Sequence, residues 1–204
     1  MYKTEQEQFW AENFGDEYIT RNQSEQLLAS NLSFFCKSLN QCGKIASCIE
    51  FGANIGMNLK ALKLLYPSIW LRGIEINPNA AKLLQQTIGA ENVRLGSIFD
   101  EAFNETADLS LIKGVLIHIN PEMLQIVYQR LYESSAKYIL IAEYYNPVPV
   151  SINYRGFSDK LFKRDFAGEF LDKYIDCKLV DYGFIYKRDP SFPQDDISWF
   201  LIEK

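Results

Sequence analysis

The alternation of hydrophobic and polar positions changes rhythm twice along the chain. Up to residue 23 the sequence is polar and acidic, with Phe9, Trp10, Phe14 and Tyr18 spaced four or five apart. That spacing predicts a short helix laid across something apolar. From Ser24, Leu28, Leu32, Phe35 and Leu39 recur at i, i+4, i+7 and i+11, and Gly43 closes the run, which predicts an amphipathic helix. Short apolar runs then alternate with helical ones. Strands are predicted at 45–51 (IASCIEF), 69–76, 93–95, 109–112 and 138–144. Between them lie a helix around 57–65, a second opened by Asn77-Pro78 and ending near Gly89, and a third opened by Asn120-Pro121 and carrying Leu124, Val127 and Leu131. In both dipeptides the asparagine suits the N-cap and the proline suits the first helical position. This alternation predicts a parallel, doubly wound sheet with helices on both faces.

The tail departs from that pattern. Asn146-Pro147-Val148-Pro149 leads into a predicted loop reaching about residue 162, followed by a helix at 164–174 and strands at 178–186 and 198–202. The segment KRDPSFPQDD between the last two is loop chemistry without a helix, so those strands are expected to pair antiparallel at the sheet's edge. The expected fold class is α/β: a Rossmann-like doubly wound sheet of about seven strands, five parallel plus a C-terminal antiparallel hairpin, with N-terminal helices. No repeat or linker interrupts it, so residues 1–204 read as a single domain, with a helical lid or cap over 1–42 and the core over 43–204.

Composition narrows the function classes. A chain of 204 residues buries roughly 70% of its unfolded surface and needs no staple. Hydrophobic residues at 48% and aromatics at 14% exclude a disordered chain. A formal charge of −5 argues against a broad basic face for nucleic acid. No apolar run approaches the roughly 20 residues that cross a bilayer, and MYKTEQEQFW carries neither a signal core nor an Arg-rich amphipathic address. A cytoplasmic protein that binds neither membrane nor nucleic acid is expected. Cys36, Cys42, Cys48 and Cys177 form no C-x-x-C pair or disulfide framework and read as small buried side chains.

The candidate chemistry begins at the first strand–helix turn, where ligands of open α/β sheets sit. It reads Glu50-Phe51-Gly52-Ala53-Asn54-Ile55-Gly56, with glycines for a tight turn and close backbone approach. Asn54 and Met57 stand where a dinucleotide fingerprint G-x-G-x-x-G needs its second and third glycines, so a nicotinamide cofactor fits poorly. Glu75 ends the next strand, where an acid suits two ribose hydroxyls.

This constellation resembles the class I S-adenosylmethionine-dependent methyltransferases, whose first motif is E/D-x-G-x-G-x-G. Glu50, Gly52 and Gly56 match it and Asn54 departs. The resemblance implies S-adenosyl-L-methionine as cofactor and S-adenosyl-L-homocysteine as product. It implies the turn, including Ala53, around the methionine part and Glu75 with Ile76 at the ribose. The adenine site falls at Gly96-Ser97-Ile98, with Ser97 where many members have Asp. Lys113 and Gly114 then stand at the end of the fourth strand.

A narrower resemblance covers nearly the whole chain. WAENFGDEYITRN (10–22), KGVLIHINPE (113–122), YYNPVPVSINYRG (144–156), LFKRDFAGEFLDKY (161–174) and the segment 179–204 are similar to small methylases associated with pseudaminic acid biosynthesis. That resemblance implies a sugar or sugar-nucleotide acceptor, methylated on oxygen or nitrogen, in bacterial surface-glycan biosynthesis. It makes residues 10–22 part of a lid, with Tyr18 or Arg21 near the cofactor's carboxylate. A monomer or homodimer is expected.

His118, the sole histidine, follows the fourth strand and has three open readings: general base, cofactor or substrate wall, and structural histidine. Tyr144, Tyr145 and Asn146 end the fifth strand beside the expected acceptor pocket, or pack there. Asn146-Pro147 lacks the second proline of the N-P-P-Y motif of DNA adenine methylases and follows a different strand. Tyr154, Arg155, Lys160, Lys163 and Arg164 form the one basic concentration, either an anion site for an acidic sugar or a solvated face. Arg164 near a helix start adds to the first reading. Asp195-Asp196 has no histidine partner and reads as a solvated turn, so no metal is expected.

Overall fold

The computed structural model describes residues 2–19, 23–100 and 105–204. The N-terminal segment forms α1 (Glu5–Ala11), α2 (Asn13–Ile19) and α3 (Glu25–Ser38). The core follows as β1 (Ser47–Phe51), α4 (Met57–Leu65), β2 (Trp70–Glu75), α5 (Pro78–Ile88), β3 (Val93–Leu95), β4 (Ala107–Lys113), α6 (Leu124–Ser134) and β5 (Ser135–Glu143). Then come β6 (Val150–Tyr154), β7 (Phe157–Lys163), α7 (Phe166–Lys173), β8 (Lys178–Ile185) and β9 (Ile197–Glu203).

The sheet has seven strands in the order β3-β2-β1-β4-β5-β9-β8, and β6-β7 forms a separate two-stranded sheet. The first five strands run parallel, and β9 lies antiparallel between β5 and β8. The expected architecture is therefore present. Successive strand residues point to opposite faces, so each core strand feeds two layers. Ile49, Phe51, Ile112 and Ile141 pack with Leu124, Val127 and Leu131 of α6 and Phe166 and Phe170 of α7. Cys48, Leu111, Leu140 and Leu201 pack on the other side with Phe34 and Phe35 of α3 and Leu59 and Leu62 of α4. The chain leaves β1 for β2 on one side and returns to β4 on the other. That reversal opens a crevice at the strands' carboxyl ends.

Three expectations need correction. The first aromatic run makes two seven-residue helices rather than one. Residues 150–163 are not a loop: Val150 pairs with Lys163 and Ile152 with Leu161 in an antiparallel hairpin. Val150, Ile152 and Tyr154 do alternate with Ser151 and Asn153, but Pro147 and Pro149 just before them read as loop and the apolar positions stay largely exposed. Asn120-Pro121 first opens a single 3₁₀ turn, Pro121–Met123, before α6. The cysteines are all free, but Cys36 is exposed while Cys48 and Cys177 are buried. No helix among the described residues is long and apolar enough to cross a membrane.

The α5 cap carries a second task. Asn77 Oδ1 accepts from the Asn79 and Ala80 N–H groups at 2.9 Å, as its sequence position predicts. Its Nδ2 donates to Asp16 Oδ1 at 2.9 Å, tying α2 to the sheet end, and Asn79 Nδ2 donates to the same oxygen at 3.0 Å. These two bonds hold the Asp16 carboxyl below its usual pKa.

Candidate active site

A cavity of about 200 Å³ lies at the carboxyl ends of β1, β2 and β4. Its floor is the glycine turn, its sides are residues 74–77, 96–99 and 113–115, and its roof includes Thr4, Glu7, Trp10 and Tyr18. The turn takes left-handed backbone at Gly52 (φ +73°), Asn54 (φ +48°) and Gly56 (φ +86°). Asn54 therefore stands where the resembled motif has glycine because asparagine tolerates that conformation best among side-chain-bearing residues. A Cβ on Gly52 would meet Val115 Cγ2 at 2.6 Å, so this glycine also admits the turn that follows β4. Gly56 does not line the cavity. It precedes α4, and a Cβ there would meet Leu84 Cδ1 at 2.6 Å, so its role is packing.

Two acids stand beside this turn with different duties. Glu75 lines the cavity, and its Oε2 and Oε1 accept from the Asn54 and Asn77 N–H groups at 2.7 Å each. Burial raises its pKa and these backbone bonds oppose the rise. Each oxygen keeps a further lone pair for a ligand hydroxyl. Glu50 is fully buried and does not line the cavity, against expectation. Its Oε1 accepts from Asn58 Nδ2 at 2.6 Å, and Asn58 faces the cavity instead. Burial pushes Glu50 up to about 8.

Lys113 is the one lysine or arginine on the cavity wall among the described residues. Its Nζ donates to Asn31 Oδ1 at 3.3 Å and lies 5.3 Å from the Phe34 ring centre. Burial lowers it to about 8, against the attraction of Glu50, Asp195 and Glu143. Asp195 is therefore more than the solvated turn residue expected, although it is exposed. Glu50 Oε2, Asn54 Oδ1, Asn58 Oδ1 and Trp10 Nε1 are buried without a partner within the protein. Unpartnered buried polar atoms are rare, and three of these residues, Trp10, Asn54 and Asn58, line one cavity.

Beyond β3, Ser97 and Ile98 line the cavity. The Ser97 N–H bonds Asp100 Oδ2 at 2.9 Å, and its hydroxyl bonds Glu7 Oε1. Glu7 also closes the capping box of α1 with Thr4, so one carboxylate both starts the helix and fastens it across the cavity.

His118 lines the cavity and is buried. Its Nδ1 lies 2.7 Å from the Lys160 carbonyl oxygen, which accepts only, so Nδ1 carries the hydrogen and Nε2 keeps a lone pair. Trp10 and Tyr154 rings stand 4.5 and 5.1 Å from the imidazole. Burial takes its pKa down to about 4, so the ordinary value near 6.5 does not describe it.

The residues expected at the acceptor are only partly assembled. Tyr154 packs between His118 and Phe14. Tyr144 is half-buried between the two core layers, off the cavity wall, and burial raises its hydroxyl pKa. Tyr145 is exposed against Phe200, and Asn146 Nδ2 donates to the Val148 carbonyl. The basic concentration does not gather. Arg155 sits exposed in the β6–β7 turn over Tyr154, Lys160 pairs with Glu5 at 3.3 Å, and Lys163 lies over Tyr144. Arg164 pairs with Glu169 at 3.1 Å, and Asp165 caps α7, so that helix start already holds a carboxylate. Adjacent numbers on a hairpin alternate faces, which dispersed these charges. Arg21 lies outside the described residues. Asn31, Asn58, Trp10 and Glu7 are wall residues that sequence reading missed. Asn31 carried the one available signal, a polar side chain beside the apolar stripe of α3.

Sheet order, glycine turn and acid-tipped β2 together define the Rossmann-like fold of class I S-adenosylmethionine-dependent methyltransferases. Solved structures agree in fold. The chain is similar to magnesium protoporphyrin IX methyltransferase from Synechocystis PCC 6803 with bound SAM, at a TM-score of 0.68 and 10% identity over 100% of this chain and 99% of that one. It is similar to 1,6-didemethyltoxoflavin-N1-methyltransferase from Burkholderia thailandensis, solved with S-adenosylhomocysteine, at 0.68 and 13% over 97% and 86%. It is also similar to mitomycin 7-O-methyltransferase, at 0.67 and 16%, spanning 98% of this chain and 61% of that enzyme's length. No family sequence model matches the chain, and no curated protein matches it by sequence.

Proposed function

We propose that this protein is an S-adenosyl-L-methionine-dependent methyltransferase acting on a small molecule, with a pseudaminic-acid-type nonulosonic sugar or its precursor as acceptor. The observation that carries the cofactor assignment is the cavity wall itself. Glu75 offers lone pairs for two ribose hydroxyls, Lys113 offers an ammonium for a carboxylate, and the orphaned oxygens of Asn54 and Asn58 offer acceptors for an amine. A nucleoside joined to an amino acid matches that donor and acceptor set. When bound, the cofactor supplies a methyl group already activated on a sulfonium.

The chain's own task is then to align the acceptor, exclude water and hold its proton. Of the N-terminal segment 1–42 read as a lid within a single domain, α1 and α2 serve as the lid, while α3 packs Phe34 and Phe35 into the core. The bonds of Glu7 to Ser97 and of Asn77 to Asp16 close the lid over the cavity. Trp10, Tyr18 and His118 form the wall against the acceptor, with Tyr154 packed against His118 off the wall. The neutral His118 Nε2 takes a hydrogen bond from the acceptor's hydroxyl or amine and orients it. With a pKa of about 4 it is a weak base at neutral pH, so it directs the acceptor more than it removes its proton. The sugar assignment rests on the sequence resemblance. Arg155, exposed at the hairpin turn, is the side chain there that remains open to an acceptor's carboxylate.

Calorimetry with S-adenosylhomocysteine tests the cofactor, and absence of binding ends the proposal. Mass spectrometry of nonulosonic sugars and their nucleotide conjugates, incubated with enzyme and S-adenosylmethionine, tests the acceptor. A product heavier by one methylene supports it. Turnover of a non-sugar metabolite with every sugar inert replaces it.

A further inference from the structure

We propose that Glu143 is a positioning residue of this site, its carboxylate holding the turn 114–118 in the shape that presents Gly114, Val115 and His118 to the cavity. Glu143 closes β5 and is 3% exposed. Its Oε1 accepts from the Val115 and Leu116 N–H groups at 2.9 Å each, and its Oε2 accepts from the Ile117 N–H at 3.4 Å. Those donors open the 3₁₀ turn Leu116–His118, whose own bonds begin with His118 N–H to the Val115 carbonyl at 2.9 Å. The first N–H groups of such a turn have no partner within it, so a buried turn start needs acceptors from elsewhere. One carboxylate from the neighbouring strand meets three in succession.

Glu143 does not line the cavity, so it acts through what it holds. The far end of the turn is pinned by the Lys160 carbonyl on His118 Nδ1. Its middle is seated by Val115 against Gly52. Glu143 thereby sets where the wall beside the glycine turn lies and where His118 stands. Lys113 on β4 and Tyr128 on α6 face the carboxylate. Burial raises its pKa to about 7, against the three N–H groups and Lys113. Protonation turns one acceptor oxygen into a donor and loosens the turn.

This inference rests on the cofactor reading of the cavity, and its experiment separates the two. Glu143→Gln and Glu143→Ala are compared with wild type by S-adenosylhomocysteine calorimetry, thermal melting and hydrogen exchange of the peptide spanning 113–119. We expect affinity to fall about tenfold or more in folded Glu143→Gln, as for a lost bond to a charged group. Exchange of 113–119 rises while that of β1 is unchanged, and the fall in wild-type affinity below about pH 7 is absent from the variant. A carboxylate with a merely structural role lowers the melting temperature and leaves the affinity of the folded variant unmoved, which overturns the proposal. If both variants fail to fold, exchange at Val115, Leu116 and Ile117 in wild type across the same pH range decides it, with pH-independent protection overturning it. Wild type that binds no S-adenosylhomocysteine ends the cofactor reading, while the exchange data still report on Glu143.

Discussion

Replacing Gly52 by alanine perturbs two things at one atom, and the structure allows them to be separated. The backbone there has φ +73°, so any L side chain strains it by roughly 1–2 kcal/mol. The new Cβ would also meet Val115 Cγ2 at 2.6 Å and Cγ1 at 3.2 Å, far inside ordinary contact. Overpacking of that kind costs about 1–3 kcal/mol. Together the single variant loses about 2–5 kcal/mol, which for a chain of this size lowers the melting temperature by roughly 5–15 °C. Val115→Ala removes both Cγ atoms at a cost of about 1 kcal/mol of its own. In the double variant the steric part disappears and the backbone strain stays, so the cycle shows a favourable coupling of about 1–2 kcal/mol. Urea unfolding of the four proteins measures it, and S-adenosylhomocysteine calorimetry follows the same cycle. The double variant should bind more tightly than Gly52→Ala alone. A coupling below about 0.5 kcal/mol refutes the reasoning, because Val115 would then not be the neighbour that requires glycine at position 52.

Other consequences follow from single contacts. Lys113→Met should weaken S-adenosylhomocysteine binding about 10–100-fold while moving 5′-methylthioadenosine, which lacks the amino-acid end, less than about threefold. Equal losses for both ligands count against Lys113 as the carboxylate partner. Glu7→Ala removes the Ser97 bond and half of the α1 capping box, and S-adenosylhomocysteine should dissociate about five- to tenfold faster by stopped flow. An unchanged rate means the clasp does not gate the cavity. His118, held near a pKa of about 4 against 6.5 in the unfolded chain, takes its proton first when unfolded. Stability therefore falls as pH drops from about 6.5 toward 4, by about 3 kcal/mol in all. Glu50 and Glu143 are raised and act in the opposite sense, losing stability as pH rises toward 8 and 7, in wild type and variant alike. His118→Gln should remove the histidine's loss alone, so that between about pH 7 and pH 5 the variant gains about 2 kcal/mol relative to wild type, read from the urea-derived stabilities of the two proteins. An equal shift in both proteins contradicts the buried neutral imidazole.

Local signals carried most of the architecture. Asn77-Pro78 and Gly89 marked both ends of α5, and the apolar runs around Ile49, Leu111 and Ile141 are continuous because both faces of a parallel sheet are covered. The β6–β7 hairpin was missed although VSINY alternates over 150–154, because the run is short and largely exposed and follows Pro147 and Pro149, which read as loop. The site divides in the same way. Gly52, Asn54 and Glu75 sit within one strand–turn–helix unit or at the end of the next strand, so their meeting follows from local geometry and adjacency. Glu7 meets Ser97, Asn31 meets Lys113, and Glu143 meets Val115 across separations that no spacing encodes.

The sequence by itself determined the strand–helix alternation, the caps, the glycine turn and the acid at the end of β2, because each depends on neighbours a few residues apart or on the parallel order that short crossovers impose. The tertiary structure decided which polar groups face the cavity, where the basic residues point and how His118 is protonated. Those properties are set by burial and by partners from distant segments. Desolvation moved His118 and Lys113 away from their ordinary behaviour, and pairing with Glu5 and Glu169 dispersed a basic cluster that was continuous only in sequence.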